Sequence, residues 1–142
     1  MSTLKTSLRD HIEAHRATAQ AWGSHDCALW ANSCRVAIGR EDHGKFFRGK
    51  YKSARGALLR MRRFGCETPV DVADKCLGER SPIAFALAGD VVAADLVKLK
   101  LTDSADGFGL ALGICNGRAS FFVGAQGLIA VPTLNCEFCY RG

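Results

Sequence analysis

Residues 23–30, Gly23-Ser24-His25-Asp26-Cys27-Ala28-Leu29-Trp30, decide how the rest of the chain is read. Gly23 and Ser24 break any preceding helix, and Asp26 is a residue type whose carboxylate accepts from the open N–H groups of a helix start. The sequence that follows, CALWANSCRVAI, predicts a helix from Cys27 to Ile38 that stops at Gly39. That helix is apolar on nearly every side and so belongs in the core. A cysteine in its first turn faces unpaired backbone N–H groups and the positive end of the helix dipole, both of which favour thiolate.

Upstream, apolar residues at Leu4, Leu8, Ile12, Ala19 and Trp22 alternate with charge, which predicts an amphipathic helix from Thr3 to Trp22. Downstream, residues 40–50 are polar, contain Gly44 and Gly49, and read as a loop bearing Phe46 and Phe47. A helix is expected from Ser53 to Phe64, ended by Gly65. Thr68-Pro69 predicts an N-cap and first-turn proline for a short helix through Cys76, and Ser81-Pro82 a brief turn. After Ala88-Gly89 the texture changes to short apolar runs separated by Gly, Asn and Pro: 90–96, 109–115, 119–123, 128–131 and 134–140. These predict an antiparallel meander. Helices over about 1–88 and sheet over about 89–142 make one α+β domain spanning 1–142.

The chain has 142 residues, 48% hydrophobic and 23% charged, the composition of an ordinary globular domain with one core. No apolar run approaches the roughly 20 residues of a membrane helix, so no membrane span is expected. The first residues, MSTLKTSLRDHIEAHR, mix charge with apolar positions and do not read as a secretory signal; folding in a reducing cytoplasm is expected. Seven cysteines, an odd number at irregular spacings, argue against a disulfide framework. Cys136-x-x-Cys139 alone has metal-ligand spacing, and a structural zinc site needs four ligands. Cys115 or Cys27 would have to join them. Buried small apolar residues are the expected role of these thiols, with no metal and no cofactor.

The net charge of +5 is unevenly placed. Residues 45–63 contain Lys45, Arg48, Lys50, Lys52, Arg55, Arg60, Arg62 and Arg63 without one acid, a patch that attracts an anionic partner. Arg48, Lys50, Lys52 and Arg55, with Trp22 lining a groove, are the candidate binding residues. Phe46, Phe47 and Tyr51 interleave with the charges, yet no recognised nucleic-acid motif is present. A protein-docking surface is expected rather than a nucleic-acid site.

A nucleophilic cysteine needs a base within hydrogen-bond reach and a group to orient the base. The histidines are His11, His15, His25 and His43, all in the helical half. Three further motifs add to the Trp22-Gly23-x-x-Asp26-Cys27 opening: Ala88-Gly89-Asp90-Val91-Val92, Leu112-Gly113-Ile114, and a hairpin whose last strand starts near Gly127-Leu128. In this order they resemble the papain-like NlpC-type cell-wall peptidases. A closer likeness is to short phage- or prophage-encoded proteins with the same opening, an Arg-Gly-x-Tyr segment (Arg48-Gly49-Lys50-Tyr51) and a Gly-Ile-Cys-x-Gly turn (Gly113-Ile114-Cys115-Asn116-Gly117). The resemblance implies a papain-like fold with Cys27 as nucleophile, and it puts Ala111 where the peptidases carry their histidine. Phe121-Phe122-Val123-Gly124 then stands where the orienting polar group would be. His25 and His43 are the possible substitute bases.

Two functions follow from this resemblance. One is a structural component of a phage tail tip or baseplate, located in the virion after synthesis in the bacterial cytoplasm, which acts through contacts with other tail proteins. The alternative is a cysteine endopeptidase or amidase that cleaves peptidoglycan stem peptides as the phage penetrates the wall, with Cys27 as nucleophile.

Overall fold

A computed structural model describes residues 3–102 and 108–142. Helix α1 (Thr3–His15) crosses over α2 (Cys27–Ala37), and α3 (Ala54–Arg63) and α4 (Pro69–Leu77) follow before the strands begin. The strands are β1 (Arg80–Pro82), β2 (Val91–Ala94), β3 (Ala111–Cys115), β4 (Ala119–Gly124), β5 (Gly127–Pro132) and β6 (Phe138–Tyr140). They form an antiparallel six-stranded sheet in the order β1-β6-β2-β3-β4-β5. The class is α+β, helices first and sheet second.

The caps expected from sequence are in place. Asp26 is extended and accepts from the Leu29 N–H, and Ser53 accepts from Gly56 in the same way. Thr68 and Asp71 form a reciprocal capping box with Pro69, which has no N–H to satisfy, in the first turn of α4. The first helix is shorter than its periodicity predicts. It ends at His15 because the next segment gives its backbone to the sheet: Gln20 N–H donates to Gly124 O at 2.9 Å, and Leu128 N–H to Arg16 O at 2.9 Å. A Cβ on Gly127 would lie 2.7 Å from Arg16 O, so this docking needs glycine there. The side chain of Leu4 lies outside the described residues.

β2 to β5 are the expected meander, but the last strand does not extend it. β6 returns to pair with β2 (Val91 opposite Tyr140), and Ser81-Pro82, expected as a turn, adds β1 as an edge strand beside β6. Proline is tolerated there because an edge position needs no inward N–H. Helices cover one face of the sheet. On that side Trp30 and Cys34 of α2 pack with Leu8, Ile12 and Ile114, while Ala31 packs with Val91, Ala93, Leu112 and Tyr140. The other face is closed by the chain's own turns over Val92, Ala94, Cys115, Phe122, Val131, Cys136 and Cys139. Burial on both faces explains why β2, Val-Val-Ala-Ala, carries no polar residue. A separate cluster of Leu29, Phe47, Ala57, Met61, Cys66 and Val72 anchors α3 and the 40–50 loop to α2.

Candidate functional site

Cys27 is the first residue of α2 and sits half-buried on the wall of a cavity of about 840 Å³. The start of α2 is fixed by a clasp between two of the motifs noted in the sequence. The Asp26 carboxylate accepts three hydrogen bonds: from Leu29 N–H at 3.1 Å, Gly23 N–H at 3.1 Å and the Tyr51 hydroxyl at 2.6 Å. Gly49 N–H donates to Gly23 O at 2.8 Å. Gly23 has φ +84° and lies so near Tyr51 that a Cβ would be 2.1 Å from the Tyr51 carbonyl oxygen. Only glycine satisfies both demands. The Trp-Gly-x-x-Asp-Cys opening and the Arg-Gly-x-Tyr segment are therefore two halves of one structure. Burial and the neighbouring Asp26 carboxylate push the Tyr51 hydroxyl far above its ordinary range, so Tyr51 stays protonated and donates to Asp26.

A second clasp holds the loop that bears His43. Asn32 of α2 donates to Asp42 at 2.8 Å and accepts from His43 N–H at 2.9 Å, while Asp42 also accepts from Gly44 N–H and from Arg48 at 2.9 Å. Arg48, Asn32 and Gly44 together hold the Asp42 carboxyl well below the usual carboxylate range. This loop brings His43 to the same cavity as Cys27. His25 goes elsewhere. Two residues before Cys27 in sequence, it turns to the other side of α2, stacks on His15 at 5.7 Å and meets the Trp30 ring edge at 5.5 Å. It is 8% exposed, does not line the cavity, and its Nε2 has no hydrogen-bond partner among the described residues. Asp26 sits between the two and is committed as a cap.

The cavity runs past the start of β3 and is lined from both sheet faces. Cys27 packs with Ala31 and Leu112 on the helix side; Ala111 packs with Val92, Ala94 and Leu96 on the opposite side. Strand alternation thus puts Leu112, one residue beyond the position the resemblance marks, in the cluster that holds Cys27. Both residues are apolar, and neither can accept a proton. Trp22 lines the cavity and meets Phe108 edge to face at 6.0 Å.

The basic residues lie outside this cavity. Lys50, Lys52 and Arg55 are exposed around the start of α3, with Arg48 beside them but paired to Asp42. Arg60 lies flat on Phe46, 3.8 Å from the ring centroid, and donates to its carbonyl at 2.7 Å, and Arg62 pairs with Glu67 at 3.2 Å. Three of the eight residues of the expected patch, Arg48, Arg60 and Arg62, are thus structural. Lys45, Lys50, Lys52, Arg55 and Arg63 form no ion pair with a described residue.

None of the seven cysteines forms a disulfide. Cys115, Cys136 and Cys139 share one apolar cluster, where burial pushes the Cys136 thiol up to about 11. Cys115 donates to Gly117 O at 3.3 Å, and Cys139 to Ser81 O and Pro82 O at 3.6 Å. Among the described residues no group of three or more His, Cys, Asp or Glu side chains is arranged to hold a metal ion. No helix among them is long and apolar enough to cross a membrane.

Sequence reasoning missed the Asp26–Tyr51 bond and the Asn32–Asp42 clasp. Both join residues more than nine positions apart, and no local spacing marks such a pair. No curated protein and no solved structure matches the chain. Over residues 1–142 it matches the family described as "Domain of unknown function (DUF6950)", and it belongs to that family.

Proposed function

We propose that the protein is a non-catalytic component of a phage tail tip or baseplate, built on an NlpC-like peptidase frame and acting through contacts with other tail proteins. One observation carries the reading: β3 offers the Cys27 cavity only Ala111 and Leu112, where a thiol hydrolase of this type needs an imidazole. Cys27 has the helix start, and β3 sets no proton acceptor across from it. The exposed cations Lys50, Lys52 and Arg55, with Lys45 and Arg63, supply the docking face for an acidic neighbour. Exchanging Lys50, Lys52 and Arg55 together for Glu should abolish assembly of the protein into virions while its thermal unfolding stays cooperative. Virion content unchanged by the triple exchange would overturn the docking face, and absence of the unaltered protein from virions would overturn the whole reading.

The second reading is a cysteine endopeptidase or amidase acting on peptidoglycan stem peptides. His43 favours it, because it lines the same cavity as Cys27 and the Asn32–Asp42 clasp holds its loop there. Cys27 would attack the amide carbonyl, His43 would take the thiol proton and pass it to the leaving amine, and N–H groups at the start of α2 would face the oxyanion. Digestion of purified cell walls, lost in both Cys27→Ser and His43→Ala, would establish it; walls left intact by the unaltered protein exclude it.

A further inference from the structure

We propose that α1 is an acid-released latch: neutral His11, His15 and His25 hold it on α2, and their protonation frees α1 while α2–α4 and the sheet stay folded. The three imidazoles surround the wholly buried Trp30, their ring centroids 5.5–5.7 Å from its own. His15 lies 4.5 Å from His11 and 5.7 Å from His25. Little else holds the helix. Leu8 and Ile12 pack with Trp30, Cys34 and Ile114, and none of the other three core clusters includes a described residue of α1. The ion pairs Arg9–Asp10 and Arg16–Glu13 stay within that segment, so among the described residues no salt bridge ties α1 to the rest. Removal of α1 therefore leaves the remaining core intact.

The hydrogen bonds of the cluster fit neutral rings. Ser33 Oγ gives its proton to Trp30 O at 2.9 Å, so His11 Nε2–H donates to that Oγ at 3.1 Å. His15 Nδ1–H donates to His11 O at 3.0 Å. An imidazolium carries N–H on both nitrogens, and on His25 the buried Nε2–H would find no acceptor among the described residues. The charged groups that face the cluster offer little relief. Asp26, beside His25, already accepts three hydrogen bonds; Asp42 and Arg48, which share a cleft with His11, are paired with each other; and Arg16, a cation itself, lies over Phe121. Burial holds the Cys34 thiol neutral, and β4 and β5 carry no titratable side chain. Burial first and His15 second lower the pKa of His11 and His25 below about 6.5, in His25 against the pull of Asp26. The latched state thus prevails above that value and is lost as acid charges the rings. The inference rests on neither the docking face nor the Cys27 cavity.

The test uses the full chain carrying Trp22→Phe, which leaves Trp30 as its one indole. Between pH 7.5 and 5 the Trp30 emission should move to longer wavelength as the ring meets water. Over the same range the protection of α1 amides, corrected for intrinsic exchange, should fall at least tenfold more than that of α2 or β3. His25→Phe and His15→Gln, uncharged at every pH, should each suppress both changes, and His43→Gln, outside the cluster, should keep them. Circular dichroism at pH 7.5 checks that the variants fold, and either cluster variant suffices. A midpoint below about pH 4.5, where carboxylates titrate, would overturn the proposal. So would equal loss of protection in α1 and β3, or a response that survives in the cluster variants.

Discussion

The two sides of the start of α2 differ more than their sequence suggests. His25 and Cys27 are separated by one residue, yet His25 is sealed among rings while Cys27 borders a cavity. On the closed side Trp30, 0% exposed, stacks on His11 at 5.6 Å, meets His15 at 5.7 Å and donates its indole N–H to Phe121 O at 2.9 Å. On the open side apolar residues such as Trp22, Phe47 and Leu112 share the wall with Asn32, Arg40, Glu41 and His43. The difference teaches that a histidine next to a cysteine in sequence is no dyad when a helix begins between them: the first turn sends neighbouring side chains to different faces.

The largest expected effect breaks the closed side. Trp30→Ala removes the shared partner of three histidines and should cost about 4 kcal/mol, read by urea denaturation. Amide exchange in α1 should quicken most, because Trp30, Leu8 and Ile12 share one cluster. A loss spread evenly over the chain would mean that α1 does not depend on this side. Asp26→Ala comes next. It deletes the cap and strands the buried Tyr51 hydroxyl, for about 2–3 kcal/mol of stability. Tyr51→Phe, which removes only the donor, should cost less than Asp26→Ala; the reverse order would show that the clasp between the two motifs is not what Asp26 holds.

Acid separates the two sides without mutation. Burial, reinforced by the neighbouring His15, lowers the pKa of both His11 and His25 below the usual value of about 6.5. The unfolded chain then binds protons more readily than the native one. The stability contributed by these neutral imidazoles is intact above about pH 6.5 and is lost as pH falls towards and through their lowered native values. Unfolding free energy measured from pH 7.5 down to 5 should therefore decline, and His25→Phe should flatten the decline. A slope unchanged in that variant would remove His25 from the account. The smallest effect is expected on the open side: Cys27→Ser should cost about 1 kcal/mol or less and leave virion assembly intact. Loss of assembly in that variant would give the thiol a role beyond packing.

Residues near in sequence were legible before the structure. Asp26, Ser53 and Thr68 each announce a helix start, because a cap acts over three residues. The change from helical to alternating texture after Gly89 marks the sheet for the same local reason. The end of α1 was not legible, since its apolar spacing continues to Trp22 while the hairpin at Gly124 and Leu128 takes its backbone. Nor was the return of β6 to β2, which closes the sheet over a long connection rather than through a turn signal.

The sequence by itself determined that Cys27 opens a buried helix and that no histidine stands in the sheet half, because caps, periodicity and composition are properties of neighbouring residues. The tertiary structure alone decided which histidine shares the cavity with Cys27. The Asn32–Asp42 clasp holds the His43 loop at its wall and the Trp30 rings hold His25 away, through contacts between segments far apart in the chain.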